Sequence, residues 1–266
     1  MEKIHPIGHE LLAREAEVVF ATDVDPKKLA KEVVDADGIL VRSSYITREV
    51  FEAAAKLKVL GRHGVGLDYI DMQAATEMGI PVVNAPGSNT IAVAEHAIMF
   101  MLALAKNIFI SDRVVRDLDY DARYKIPLTE LAGKTLGLIG FGRIGQAIAK
   151  RCFAFDMDVI AYDPYLPETV AQAQGVKLVP EIDEILTKAD VVSLHAPATE
   201  ENYHLIDADA LAKMKPNAYL INTARGTLID QIALYEALKE GKIAGAALDV
   251  FEPEIPQPDN PLFLVR

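Results

Sequence analysis

Gly140-Phe141-Gly142-Arg143-Ile144-Gly145 decides the fold, because it follows the apolar run Thr135-Leu136-Gly137-Leu138-Ile139 and opens an amphipathic segment that continues to Lys150. A strand ending there must turn too tightly for side chains. Gly140 makes that turn, Gly142 lets the backbone approach a pyrophosphate, and Gly145 lets the helix pack closely on the strand. Phosphates would then meet the unpaired N–H groups at the start of the helix, where the positive end of its dipole favours anions. A second strand is predicted over 157–162 and ends at Asp163, 23 positions after Gly140. A carboxylate at a spacing of about 20 residues suits a ribose 2′-hydroxyl and repels a 2′-phosphate, so NAD is the expected cofactor.

Strand and helix patterns alternate on both sides of this stretch. Short strands are predicted over 17–21, 38–41, 59–62 and 81–83, with helices over 27–34, 48–55 and 71–78 between them. Residues 90–119 read as one long helix, and Lys125-Ile126-Pro127 interrupts the pattern where two domains join. Beyond the glycine stretch, strands are predicted over 157–162, 176–178, 191–194, 218–222 and 244–248. Such alternation implies parallel sheets, and in the second half a doubly wound α/β sheet of the Rossmann type.

Composition narrows the partners. The chain has 266 residues, 51% hydrophobic and 25% charged, enough for two modest cores, and its formal net charge of −12 argues against nucleic acid or an anionic membrane as partner. An anionic substrate must therefore meet a local cluster of Arg and Lys. Cys152 is the only cysteine, so no internal disulfide can form. No stretch reaches the 18 or so apolar residues needed to span a bilayer, and a cytoplasmic protein is expected.

Other patterns carry less. Gly133-Lys134-Thr135 resembles the end of a phosphate-binding P-loop, but Leu128 stands where that motif needs glycine. His5 and His9 have a helical ligand spacing with Pro6 and Gly8 between them, and read as a surface pair. The remaining histidines share no ligand spacing with Cys, Asp or Glu, so no metal is expected. Asp230, Glu236, Lys213 and Lys215 read as solvated faces.

In an open parallel sheet, ligands bind beyond the carboxyl ends of the strands. Asn222-Thr223-Ala224-Arg225-Gly226 places an arginine directly after a strand, where a planar guanidinium can grip a carboxylate with two hydrogen bonds. Asp249 follows the strand predicted over 244–248 and is placed to accept from a nicotinamide carboxamide. Glu254 lies just beyond, where a carboxylate can orient an acid–base group.

These motifs, with Val41-Arg42-Ser43, the run from Gly61 to Asp71, Leu194-His195-Ala196-Pro197 and Asp249-Val250-Phe251, occur in the order found in one family. The chain resembles the D-isomer-specific 2-hydroxyacid dehydrogenases, most closely their phosphoglycerate dehydrogenase branch. The resemblance implies an incomplete, flavodoxin-like substrate domain over 1–95, an NAD-binding domain over 96–266, a cleft between them and a homodimer. It implies that Arg225 binds the 2-keto acid and polarises its carbonyl while Arg42, Ser43, Val65 and Gly66 hold the carboxylate end. Arg143, Ile144, Asp163, Pro197, Thr223 and Asp249 match positions that contact NAD, and Glu254 matches the acid that pairs with a catalytic histidine. Arg62 and His63, beside Arg42, lean the expected substrate toward 3-phosphoglycerate. The family's Thr-Pro-His segment lies beyond the stretch matched by Asn260-Pro261-Leu262-Phe263-Leu264, whereas this sequence ends at Arg266. Two expectations follow: a fragment or shortened form of an NAD-dependent oxidoreductase, or an impaired, corepressor-like NAD-binding protein on the same fold.

Overall fold

The computed structural model describes residues 2–265 and divides into two compact units, Met1–Asn89 and Thr90–Arg266. A boundary between 95 and 96 would cut a continuous helix that begins at Thr90.

The first unit contains α1 (Pro6–Leu12), α2 (Pro26–Glu32), β1 (Gly38–Val41), α3 (Arg48–Ala53), β2 (Val59–Arg62), α4 (Met72–Glu77) and β3 (Val82–Val83). Its sheet is parallel in the order β1-β2-β3. Proline at the first helical position and the Asp25 side chain, which accepts from the N–H groups of Lys27 and Lys28, start α2. Leu29, Val41, Ile46, Val50, Phe51, Leu60 and Ala74 form the core. Residues 17–21 were expected to form a strand, yet they are irregular, and Val19 is 69% exposed. The β-branched and aromatic residues there fit a strand locally, but they lie outside the three-stranded ladder β1-β2-β3. The helix α1 was not expected. His5 precedes it and accepts from the Ile7 N–H through its ring, while His9 stacks on Phe20, so the two histidines serve different contacts.

The second unit contains α5 (Thr90–Ala105), α6 (Ile108–Arg116), β4 (Thr135–Ile139), α7 (Arg143–Cys152), β5 (Asp158–Tyr162), α8 (Glu168–Gln172), β6 (Lys177–Leu178), α9 (Ile182–Lys188), β7 (Val191–Leu194), α10 (Ala208–Lys213), β8 (Tyr219–Asn222), α11 (Gln231–Lys239) and β9 (Gly245–Leu248). All six strands are parallel, in the order β6-β5-β4-β7-β8-β9. Numbered from the first strand of this unit, that order is 3-2-1-4-5-6, the doubly wound arrangement with its switch point between β4 and β7. Alternation along β4 builds both cores. Leu136 and Leu138 join Ala97, Met101, Ile148 and Cys152 on one face. Ile139 joins Ile185, Leu194, Leu211, Leu220 and Leu234 on the other. Gly137 faces α9 so closely that a Cβ there would lie 2.5 Å from the Ile185 Cγ2. Each fully buried Leu or Ile contributes about 1.5–3 kcal/mol by leaving water.

The long helix expected over 90–119 is broken at Asn107, which adopts a left-handed conformation (φ 45°) and donates from its side chain to the Pro127 carbonyl. The two helices that result are bent by 55°, and among the described residues no single helix is long and apolar enough to cross a membrane. The four residues read as solvated all have partners, Lys213 pairing with Asp183 at 2.8 Å and Glu236 with Lys239 at 3.7 Å, and two of them shape the fold. Asp230 caps α11 by accepting from Ile232 and Ala233, and Lys215 pairs with Asp190 at 3.0 Å.

Candidate active site

Strand register in the second unit creates one row of residues. Ile139 pairs with both Tyr162 and Leu194, Leu194 with Asn222, and Asn222 with Leu248. Gly140, Asp163, His195, Thr223 and Asp249 therefore each take the first position past the carboxyl end of a strand.

At the switch point the β4 turn meets the end of β7. Gly140 has φ +93°, and a Cβ on it would lie 2.6 Å from the His195 carbonyl carbon. Gly145 approaches the Gly140 carbonyl, where an added Cβ would stand 2.5 Å from the oxygen. Gly142 differs from both, because an added Cβ would meet nothing within 4 Å. It is also the residue before α7, which has no side-chain cap. Open space thus adjoins the first N–H groups of a ten-residue helix, with Arg143 and Ile144 in its first turn.

Asp163 accepts from the Phe141 N–H at 2.9 Å and from the Tyr165 N–H at 3.0 Å, one bond to each carboxylate oxygen. Gln146 donates to the Phe141 carbonyl at 3.0 Å and is itself held by Gln174, so both backbone groups of Phe141 are fixed by side chains. The glycine loop is thereby tied to β5 through Asp163 and to α7 through Gln146.

Two enclosed polar atoms along the row lack protein partners: Nδ1 of His195 and Oγ1 of Thr223. The other ring nitrogen of His195 meets Ser193 Oγ at 2.8 Å. Although the residue as a whole is half-buried, desolvation of its ring pushes its pKa down to about 3, so it is neutral at ordinary pH. Pro197 is exposed, and its carbonyl accepts from Asn202. A shallow cavity of about 610 Å³ is lined by Ala198, Thr199, Glu200, Tyr203 and Thr227.

The open approach at Gly142, the uncapped helix, the carboxylate at the end of β5 and the orphaned Thr223 hydroxyl fit a dinucleotide laid across this edge.

Arg225 stands in a turn shaped by buried Asn222, whose amide donates to the Arg225 carbonyl at 2.8 Å and whose oxygen accepts from the Ala224 N–H at 2.9 Å. Asn222 is a positioning residue that sequence reading quoted without assigning it a task. Gly226 packs so tightly on Phe251 that an added Cβ would fall on the Phe251 carbonyl. The turn carrying Arg225 and the segment carrying Asp249 and Glu254 are thereby locked together. The Asp249 N–H continues the sheet by donating to the Asn222 carbonyl, while its half-exposed carboxylate lies 3.5 Å from His96 Nε2. Nothing in the local pattern of either residue announces the His96 contact. Glu254 is exposed on an irregular segment, and among the described residues no cation pairs with its carboxylate.

In the first unit, Arg42 and Ser43 follow β1, and the 63–66 loop follows its neighbour β2, so both leave the same edge. Glu2 dominates the first of these turns. Its carboxylate accepts from the N–H groups of Arg42, Ser43 and Ser44 and from the Ser43 hydroxyl, and these bonds lower its pKa against the opposing effect of desolvation, the largest single influence. The donors of Ser43 are therefore engaged within the unit, and Arg42 is left as the exposed cation of that turn. In the second turn Arg62 donates to the carbonyls of Gly66 at 3.0 Å and His63 at 2.5 Å, and Asn84 donates to that of Val65. The guanidinium of Arg62 thus braces the loop that carries Val65 and Gly66.

Comparison with known proteins agrees with this architecture. Residues 98–266 match the family model described as D-isomer specific 2-hydroxyacid dehydrogenase, NAD binding domain. The chain is 50% identical over 262 residues to a D-3-phosphoglycerate dehydrogenase of Methanocaldococcus jannaschii, covering 98% of this chain and 50% of that one. It is 49% identical over 247 residues to the enzyme of that name from Archaeoglobus fulgidus, covering 92% of this chain and 46% of that one. The chain thus spans about half the length of the curated relatives it matches. Among solved structures it is similar to D-lactate dehydrogenase from Aquifex aeolicus complexed with NAD and lactic acid, with a TM-score of 0.87, 34% identity, and coverage of 97% of this chain and 80% of that one. With the strand order, the glycine turn and the row beyond the sheet in agreement, the chain belongs to the D-isomer-specific 2-hydroxyacid dehydrogenase family, on its phosphoglycerate dehydrogenase branch.

Proposed function

We propose that the protein is an NAD-dependent oxidoreductase that interconverts a D-2-hydroxy acid and its 2-keto acid, with 3-phosphoglycerate and its keto acid as the substrate pair. One observation carries the reading: the Arg225 turn is locked by Gly226 to the Asp249–Glu254 segment at the edge where Gly142, Asp163 and Thr223 fit a dinucleotide. The cofactor, when bound, supplies or accepts a hydride at the substrate's C2. Gly142, Arg143, Ile144 and Gly145 hold phosphate through backbone N–H groups, Asp163 takes the adenosine ribose, and Pro197, Thr223 and Asp249 line the remainder. Arg225 grips the keto acid and polarises its carbonyl, because a fixed guanidinium stabilises the negative charge that grows on that oxygen. The proton this oxygen needs comes from water or from a histidine of the kind the family places after the stretch matched by 260–264, and Glu254 is the carboxylate that orients that donor. Arg42 and the N–H groups of Val65 and Gly66 hold the anionic end of the substrate. Similarity to two D-3-phosphoglycerate dehydrogenases supports the phosphorylated substrate.

A homodimer is part of the same proposal. The helix α6 buries none of its residues in its own chain, and Ile108, Phe109 and Val115 are 53%, 79% and 61% exposed, an apolar face suited to a second copy. The acidic chain, with one buried thiol, supports a cytoplasmic site of action.

The deciding assay follows NADH consumption with 3-phosphohydroxypyruvate, hydroxypyruvate, glyoxylate and pyruvate, with NADPH in parallel. Turnover fastest with 3-phosphohydroxypyruvate and NADH is expected. NADH binding without turnover of any keto acid would overturn the catalytic reading.

A further inference from the structure

Glu252 lies two residues before Glu254 and is gripped from three directions. Its Oε2 meets His204 Nε2 at 2.9 Å, its Oε1 accepts from the Tyr203 hydroxyl at 3.0 Å, and its backbone carbonyl accepts from Gln231 Nε2 at 2.5 Å. The rings of Tyr203 and His204 stack 3.9 Å apart with an interplanar angle of 17°, so the two donors form one stacked plate. His204 is itself anchored: it holds a left-handed backbone (φ 51°), uncommon for a residue with a side chain, and its N–H donates to the Thr227 carbonyl at 2.8 Å. Thr227 is two residues past Arg225. Gln231 also accepts from Asn260 at 3.1 Å, which ties in the segment after Glu254.

These contacts form a closed circuit. The Arg225 turn holds His204 through Thr227, His204 and Tyr203 hold Glu252, and Phe251 returns to the Arg225 turn through Gly226. A half-buried carboxylate with both oxygens and its carbonyl engaged has little freedom, and the residues that follow inherit its position. A loop that carried Glu254 without such a brace would sample many placements, and errors of an ångström in a reacting group cost rate steeply.

We propose that Tyr203, His204 and Gln231 are positioning residues, forming a clamp on Glu252 that fixes Glu254 relative to Arg225. The inference rests on the roles proposed above for those two residues. None of the three clamp residues touches substrate in this assignment. Their effect reaches the chemistry only through the segment they hold.

The test uses the 266-residue chain and its His204→Ala, His204→Gln and Tyr203→Phe variants, with amide hydrogen exchange read over 249–256 and over 139–146. In His204→Ala, exchange over 249–256 rises about tenfold while 139–146 is unchanged. His204→Gln, whose amide can still donate to Glu252, restores most of the protection. In the same preparations NADH affinity stays within about twofold, whereas kcat for keto-acid reduction falls about 10- to 100-fold in His204→Ala with KM little changed. Unchanged exchange over 249–256 in folded His204→Ala overturns the clamp, as does an equal loss of protection in the Ala and Gln variants. Should His204→Ala fail to fold, Tyr203→Phe decides: its loss of one hydroxyl raises exchange over 249–256 about threefold, and no change overturns the proposal. If the unmodified chain reduces no keto acid, the functional reading fails, and the exchange data still decide the clamp.

Discussion

Asp163 and Phe141 are joined by a 2.9 Å hydrogen bond from the Phe141 N–H to the Asp163 carboxylate, so the residue that would select the cofactor also fastens the loop that would hold its phosphates. Each carboxylate oxygen spends one lone pair on a backbone N–H and keeps capacity for a ribose hydroxyl. Asp163→Ala removes the proposed ribose acceptor and, with it, the bond that fastens the loop. NADH affinity should fall about 10- to 100-fold, as expected for loss of charge-assisted hydrogen bonds. Discrimination against NADPH should shrink as well, because the repelling carboxylate is gone. Fluorescence titration with both cofactors measures the two effects, and unchanged NADH affinity would remove Asp163 from the site.

Gly226→Ala tests the lock between the Arg225 turn and the Asp249–Glu254 segment. The added methyl falls on the Phe251 carbonyl, and backbone cannot yield as a flexible side chain would. Overpacking of this kind typically costs 1–3 kcal/mol, and about that loss is expected in denaturant unfolding. Keto-acid reduction should suffer more than stability, because the two segments separate at the site. Full activity would show that the lock is irrelevant to chemistry.

Much of this architecture is legible in the sequence for a physical reason. Strands β4, β7 and β8 are covered on both faces and must therefore be apolar runs, and the turn after β4 excludes a Cβ at 140 and 145, which writes glycine at those two positions. Where a signal depends on distant partners it disappears. Glu17-Val18-Val19-Phe20-Ala21 has strand-forming side chains, yet it is irregular and lies outside the ladder β1-β2-β3. The apolar run through α5 and α6 conceals the left-handed turn at Asn107, which is held by Pro127 from another part of the chain. The same holds at the site. Arg225 announces itself by following a strand, whereas the His96 contact with Asp249, the Glu2 cradle and the Tyr203–His204 plate join residues without any shared periodicity.

Arg225→Lys keeps the positive charge and loses the planar fork. A flexible ammonium cannot offer two parallel hydrogen bonds from a fixed position, so kcat/KM for the keto acid should drop about 10²- to 10³-fold. NADH binding should hold, since the phosphate and ribose contacts proposed above lie at Gly142 and Asp163. Equal loss of cofactor affinity would place Arg225 in the fold rather than in substrate recognition. Steady-state kinetics beside a cofactor titration separates the two outcomes.

His195 makes the sharpest prediction about pH. Desolvation lowers its pKa to about 3 in the folded chain, while in the unfolded chain it titrates near the ordinary value of about 6.5. Between those values the unfolded state binds a proton that the folded state refuses. The sign follows: neutral burial is free of penalty above pH 6.5, and stability is lost as pH falls below it, by about 1.4 kcal/mol per pH unit for one proton. His195→Asn removes this group while retaining an amide able to meet Ser193. Its denaturant midpoint should therefore fall less steeply than that of the unmodified chain between pH 6 and pH 4, after correction for carboxylates common to both. Parallel pH dependences would mean that the His195 ring gains a proton, or access to water, without unfolding, and the imidazole would then be open to solvent at the cofactor edge.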